Sequence, residues 1–341
     1  MIRLTAWEEN RMTIRGFSYG RQLLHVFAVC ALTFGTLDAA SAQDKYPSKP
    51  ITIIVPYPPG GSNDSFARVI GRKLGEALQQ PVLIDNRPGA GGSIGTAMVA
   101  KAANDGYTLA VVSSSFVTNS AIQQNLPFDA IKSFSPVAML ATGPFIIAVR
   151  ENLPVKSMPE LLALIRSQPG KLNYASSGPG SINQFATEIF KATAGLEITH
   201  VPYRGMSPAT MDLIGGHVDL LIASGPSLLP TVRSGKVRAI GITSPGTSRV
   251  APELMPVAKS VPGYSFELWW GVLAPASTPP AVVGRLNAEI NKILAGSDME
   301  EFFLREGAVS SIVSPTQFAE IISRDLTQFQ KIAKQASIKA D

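Results

Sequence analysis

Short apolar runs of strand character alternate along this chain with segments whose apolar residues recur at helical spacing. No other feature restricts the fold as much. Residues 51–56 read as a strand. Phe66, Val69, Ile70, Leu74, Ala77 and Leu78 then mark one face of a helix. Strands at 81–84 and 108–112 flank a helix over 94–103. The pattern recurs, with strands at 145–149, 172–175, 199–202, 219–223, 238–243 and 268–274 and helices over 159–167 and 183–193. From Pro279 the tail reads as helices over 282–294, 299–306 and 315–334. Such alternation predicts βαβ units on mostly parallel sheets. The 341 residues suit two cores at about 100–200 residues each. The expected division puts residues 43–143 and 271–341 in one lobe and 144–270 in the other. The chain would cross near 142–144 and return near 267–270.

Residues 1–42 read as a signal peptide. Arg11, Arg15 and Arg21 supply a basic flank, residues 23–37 an apolar stretch, and Ala40-Ser41-Ala42 an A-x-A cleavage site. A membrane span needs about 20 apolar residues, and this stretch is shorter. The expectation is export to the periplasm with cleavage after Ala42. Cys30, the only cysteine, lies within that stretch and follows bulky Val29, which does not suit lipid attachment. The mature chain then has no thiol for a disulfide or a thiolate metal site.

The net charge is +5, and about +4 once Arg3, Arg11, Arg15, Arg21, Glu8, Glu9 and Asp38 are removed. Its charges are scattered, with no basic block or aromatic–basic interleaving, so no nucleic-acid partner is expected. Phosphate motifs fail: there is no G-x-x-x-x-G-K-[ST], and Ile94 takes the last glycine position of a dinucleotide-like loop at 88–93. Gly91-Gly92-Ser93-Ile94-Gly95 matches G-x-S-x-G and is the one foothold for a serine hydrolase using Ser93. However, residues 86–90 separate strand from serine. His200 and His217 are the only mature histidines, and their spacing suits no zinc motif. No catalytic residue, metal or cofactor is expected.

One internal similarity points to a site. Residues 61–70, beginning Gly61-Ser62-Asn63-Asp64, line up with residues 180–189, beginning Gly180-Ser181-Ile182-Asn183. Each follows a strand and opens a helix. The first N–H groups of a helix lack intrahelical partners, and the aligned peptide dipoles put about half a positive charge there. Glycine lets a ligand approach the backbone. Ser62, Asn63, Ser181 and Asn183 suit two roles, capping the helix or donating to an anion. Two such ends facing across a cleft would clamp a carboxylate without a buried cation. Arg204, after a strand in Val201-Pro202-Tyr203-Arg204-Gly205, is a candidate charged contact or a solvated arginine. Trp269 and Trp270 adjoin the expected crossing, as core or hinge packing or as a ligand stack.

Several segments carry a wider resemblance. They include Tyr46-Pro47-Ser48-Lys49-Pro50-Ile51, Val55-Pro56-Tyr57-Pro58-Pro59-Gly60-Gly61, Asn86-Arg87-Pro88-Gly89-Ala90-Gly91-Gly92 and Asp105-Gly106-Tyr107-Thr108. Later come Leu172-Asn173-Tyr174-Ala175-Ser176-Ser177-Gly178, His200-Val201-Pro202-Tyr203-Arg204-Gly205, Asp212-Leu213-Ile214-Gly215-Gly216 and Gly271-Val272-Leu273-Ala274-Pro275. In this order they resemble the Bug/TctC family, the substrate-binding components of tripartite tricarboxylate transporters. The resemblance implies a type II periplasmic-binding-protein-like α/β fold whose two lobes close on a ligand. It implies a monomeric solute-binding protein that captures a small di- or tricarboxylate or aromatic acid for membrane transporter subunits. The alternative is a sensing receptor that signals to a membrane kinase. The ligand contacts it implies are Pro59, Gly60, Gly61, Ser62, Asn63 and Asp64 in one loop, Ser114 after the third strand, and Ser177, Gly178, Gly180 and Ser181 in the second loop. Two residues depart from the family pattern. Gln184 stands where a histidine is frequent, and Ala223 where many members carry Asp. The loss of that acceptor leads us to expect a non-amino acid as ligand.

The cleavage site generates the first prediction. Protein recovered from the periplasm should have the intact mass of a chain starting at Gln43, without lipid. A membrane-bound full-length product would contradict the localisation.

Overall fold

The computed structural model describes residues 46–339. The basic flank, apolar stretch and A-x-A site lie outside them. Strand β1 (Ile51–Val55) leads through a Pro/Gly turn into helix α1 (Ser62–Leu78), and β2 (Val82–Asn86) leads into α2 (Ser93–Ala100). β3 (Thr108–Ser113) is followed at once by α3 (Ser115–Ile122), and β4 (Phe134–Arg150) is the longest strand. Then come α4 (Met158–Ser167), β5 (Asn173–Ser176), α5 (Ile182–Ala194), β6 (Thr199–Pro202), α6 (Met206–Gly215), β7 (Leu220–Ser224), α7 (Gly225–Arg233) and β8 (Val237–Ile242). The chain ends with β9 (Glu267–Pro275), α8 (Pro280–Leu294), α9 (Ser297–Arg305), the short β10 (Val309–Ser310) and α10 (Pro315–Gln335).

Local chemistry accounts for the boundaries. α1 buries Phe66, Ala67, Ile70, Leu74 and Leu78 on one face and stops at Gln79, whose left-handed backbone ends the helix. α10 starts at Ser314 in a capping box with Gln317, followed by Pro315 in the first turn. Val, Ile and Leu dominate β1 and β3, which are buried on both faces as parallel strands between helices must be.

The strands run in the order β2-β1-β3-β9-β4-β7-β5-β6, with β8 and β10 also paired to β4. β1 is parallel to β2 and β3, and β5 is parallel to β6 and β7. β4 joins the two parallel groups. Its first part pairs antiparallel with β9 as far as Pro144↔Glu267, and its second part pairs antiparallel with β7 from Phe145↔Ser224. The change of partner falls between Pro144 and Phe145. The run read as a strand at 145–149 is therefore the second half of a strand that begins eleven residues earlier, at Phe134.

The tail does more than complete the β1–β3 side. In α10, Phe318 meets Trp269 edge-on at 5.1 Å and Phe329 meets Phe185 of α5 at 5.2 Å. Asp325, also on α10, accepts the Trp269 indole N–H at 2.9 Å. One helix thus packs against both parallel groups. Among the described residues no helix is long and apolar enough to cross a membrane. Phe329 is 4% exposed at this junction, so Phe329→Ala should destabilise the fold by about 3–5 kcal/mol in denaturant melts. A cost under about 1 kcal/mol would mean that α10 does not fasten the two groups.

Candidate functional site

The sheet directions determine where the helix starts meet. β3 ends at Ser113, opposite Trp270, and Trp270 lies opposite Ala141 of β4. β7 runs the other way and ends at Ser224, opposite Phe145. The carboxyl ends of the two parallel groups therefore point toward one another across residues 141–145 of β4. α1, α3, α5 and α7 all begin on these ends. Crevices at the carboxyl ends of parallel strands are where open α/β sheets bind ligands.

The first turn, Pro58 to Gly61, is exposed, and nothing lies within 4 Å of where a Cβ on Gly60 or Gly61 would sit. Gly61 is the N-cap of α1 and brings no side-chain cap. Among the described residues the N–H groups of Gly61, Ser62 and Asn63 donate to no protein acceptor. Ser62 accepts the Trp270 indole N–H at 3.1 Å, and Trp270 packs on Phe66 at 4.8 Å. Trp270 is therefore packed core that also steadies the turn. The Asn63 Oδ1 is buried without a hydrogen-bond partner among the described residues. So is the Ser114 hydroxyl, on a residue only 1% exposed at the N-cap of α3. Buried polar atoms without partners cost roughly 1–3 kcal/mol each, so each of these two calls for a polar partner.

Asp64 is committed to the turn itself. Its Oδ2 accepts the Gly60 N–H at 2.9 Å and the Arg68 Nε at 3.0 Å, and its Oδ1 accepts the Asn86 amide at 3.0 Å. The hydrogen bond from Arg68 is the largest influence and holds the carboxyl below its ordinary range, against the opposing effect of burial. Tyr57, in the same turn, is pushed up to about 12 by burial, with a smaller opposing effect of its hydrogen bond to Ser113, and stays neutral.

The second turn mirrors the first. Ser181 is the N-cap of α5 and accepts from the Gln184 N–H. Gln184 Oε1 accepts the Gly180 N–H at 2.7 Å, as Asp64 does for Gly60. In each turn the third helical residue reaches back to the glycine before the cap. This pairs Gly60 with Gly180, Gly61 with Ser181 and Asn63 with Asn183. The sequence comparison paired Gly61 with Gly180 and was one residue out, because matching Phe and Ala outweighed the cap. Gly180 has φ +71°, and a Cβ there would lie 2.3 Å from the Ile122 side chain at the end of α3. Helix α3 of one parallel group thus touches the second turn of the other. Ser177 donates to Asn183 Oδ1 at 2.9 Å, and Asn183 donates to the Ile222 carbonyl. The N–H groups of Ile182 and Asn183 have no protein acceptor among the described residues.

Arg204 stays near the second turn, whereas Ala223 and Ser93 fall elsewhere. Arg204 is exposed on the loop beyond β6, beside Tyr203, whose carbonyl lies 3.2 Å from where a Cβ on Gly178 would sit. Ala223 is fully buried in an apolar cluster with Ile146, Leu221 and Leu228. A carboxylate there would enter the core, so Ala223→Asp would act first on folding rather than on a bound anion. The Ser93 hydroxyl donates to the Ala90 carbonyl, whereas His200 contacts Ser176 and Gln184, so Ser93 and His200 are engaged with different partners. Sequence reasoning gave no role to Asn86, Gln184 or His200 as supports of the turns. The usable signal was the repeated four-residue spacing, Gly60 to Asp64 and Gly180 to Gln184.

The depressed Asp64 carboxyl sets a pH dependence. Its contribution to stability is present above the ordinary carboxylate range, near 4, and is lost as pH falls through the lower folded-state value. Asp64→Ala should cost about 2 kcal/mol at neutral pH. The gap from wild type should close below about pH 4. A gap independent of pH down to 3 would show that the carboxylate charge is not what holds the turn.

Comparison with known proteins adds three observations. The sequence profile described as "Tripartite tricarboxylate transporter family receptor" matches residues 66–338. Protein BugT of Bordetella pertussis is 35% identical over 321 residues, covering 93% of this chain and 98% of BugT. Two solved structures superpose closely. The R. palustris protein Rpa4515 with adipate is 33% identical with a TM-score of 0.72, over 86% of this chain and 99% of that one. MatC of Rhodopseudomonas palustris with bound malate is 30% identical with a TM-score of 0.68, over 84% and 99%.

Proposed function

The chain belongs to the family of tripartite tricarboxylate transporter receptors, which are periplasmic solute-binding proteins rather than enzymes, and from that premise we propose that it captures a small non-amino carboxylate for uptake through membrane transporter subunits. In this reading residues 43–143 with 271–341 form one lobe, residues 144–270 form the other, and the mature protein begins after Ala42. The ligand lies between Pro59–Asp64, Ser114, Ser177–Ser181 and Arg204.

One observation carries the reading. Two helix N-termini, each with donors that lack a protein acceptor among the described residues, open on carboxyl ends that converge at residues 141–145. A helix N-terminus favours an anion by about 0.3–1 kcal/mol at the surface and up to about 2 when partly buried. Several N–H groups from two turns, with the buried Ser114 hydroxyl, supply the hydrogen bonds that a desolvated carboxylate requires. Adipate and malate in the two related structures are ligands of the same chemistry. An ammonium group is less well served. Both Asp64 oxygens are already engaged by protein donors. Lobe closure over the ligand would bend β4 and β9 at the crossing.

Calorimetry on the mature protein should compare adipate, malate, succinate and an aromatic diacid with aspartate and glutamate. At least one non-amino acid should bind, and at 100 times its dissociation constant it should stabilise the fold by about 2.7 kcal/mol. Tighter binding of aspartate than of succinate would defeat the non-amino assignment.

A further inference from the structure

Behind the second turn a run of hydrogen bonds has one direction only. The Gly180 N–H donates to Gln184 Oε1 at 2.7 Å, so the Gln184 amide nitrogen faces the other way. It lies 3.3 Å from His200 Nδ1 and also reaches the Tyr174 hydroxyl. An amide nitrogen only donates, so His200 Nδ1 is an acceptor and carries no proton. The ring proton is therefore on Nε2, which lies 2.7 Å from the Ser176 hydroxyl. The Ser176 hydroxyl in turn lies 3.2 Å from both the N–H and the carbonyl of Gly178. A single neutral imidazole thus links Gly180 at one end of the turn to Gly178 at the other.

A second proton on His200 would break this arrangement by simple counting. Nδ1–H would face the Gln184 amide nitrogen, donor against donor. If the amide turned over, Oε1 would serve His200, and the nitrogen would then oppose the Gly180 N–H. Gln184 cannot satisfy both groups. Gly180 is buried and pinned by Ile122, so its released N–H would need a new acceptor. A bound anion is such an acceptor, and a charged imidazolium behind the turn attracts it further.

We propose that His200 is a proton-coupled positioning residue for the second turn, and that its protonation and anion binding at that turn promote one another. The first half rests on the hydrogen-bond geometry alone, and the second rests on the carboxylate reading above. The titratable groups facing His200 are Tyr174 from β5, stacked at 4.7 Å, and Glu188 and Lys191 from α5. Glu188 and Lys191 are paired at 2.8 Å, and Glu188 also accepts the Tyr174 hydroxyl at 2.6 Å. Their charges therefore oppose each other at the ring. Burial is the largest influence on His200 and lowers it, which keeps the ring neutral at pH 7. Because the unfolded chain takes up the proton first, His200 also favours folding less as pH falls below about 6.5.

The test uses the mature protein, first without ligand. Nitrogen-15 spectra at pH 7.5 should show the Nε2–H tautomer. On lowering the pH until the His200 ring takes up its proton, the Gly178 and Gly180 amide resonances should move in step with it; a ring that stays neutral until the protein unfolds overturns the proposal. An Nδ1–H tautomer, or a ring that titrates while Gly180 stays still, overturns the coupling. Malate is then titrated by calorimetry at pH 7.5 and 5.5 against wild type and His200→Gln, whose comparison cancels the ionisation of malate itself. Wild type should gain severalfold in relative affinity at the lower pH. Equal pH dependence in both proteins overturns the anion half. If malate, adipate and succinate bind at neither pH while the amides still track the ring, the carboxylate reading fails and the coupling stands.

Discussion

The site depends on one strand. β4 pairs with β9 over its first part and with β7 over its second, and the exchange occurs within residues 144–145. Because both pairings are antiparallel, β7 is forced to run against β3, and their carboxyl ends are brought face to face. A parallel pairing on either side would have sent one set of helix N-termini to the far edge of the sheet. The aromatic packing of α10 against Trp269 and Phe185 then ties the two groups together at the same level. Trp270 fills the space between this strand crossing and the first turn, with its ring on Phe66 and its N–H on Ser62.

In the proposed reading the two turns hold their backbone ready for an anion. Each uses one side chain, Asp64 or Gln184, to fix the glycine before the cap; among the described residues the N–H groups of Gly61, Ser62 and Asn63, and those of Ile182 and Asn183, have no protein acceptor. The two supports differ in kind. Asp64 is anchored by Arg68 and Asn86, a charged arrangement that is insensitive to pH near neutrality. Gln184 is neutral and leans on a histidine, the one side chain whose ordinary pKa lies close to physiological pH. The first turn is therefore fixed, and the second is open to adjustment by a proton.

Much of this architecture was readable from the residues, because periodicity and glycine placement are local. The βα order, the crossing near 142–144 and both turns follow from patterns within short windows. What was missed depends on contacts distant in sequence or on weak local signals. α7 contains Pro226 and Pro230, which argue against a helix, yet Pro226 falls in its first turn, where a missing N–H costs little. The first half of β4 carries Pro136, Gly143 and Pro144 and reads as loop, but its alternation of partners is set by β9, more than a hundred residues later. α3 is a short helix whose start follows β3 without a connecting loop. The burial of Ala223 and the His200–Gln184 contact belong to tertiary packing. The one-residue offset between the two turns arose because side-chain identity was weighed above cap position.

The central claim is that a carboxylate is held by the backbone of two facing turns. Its most direct test is backbone-amide NMR of the isotopically labelled mature protein during titration with whichever acid binds in calorimetry. The account predicts that the amides of Gly61, Ser62 and Asn63 and those of Ile182 and Asn183 shift together and saturate at the same ligand concentration. Perturbation of one turn alone, or shifts that cluster away from both, would contradict it.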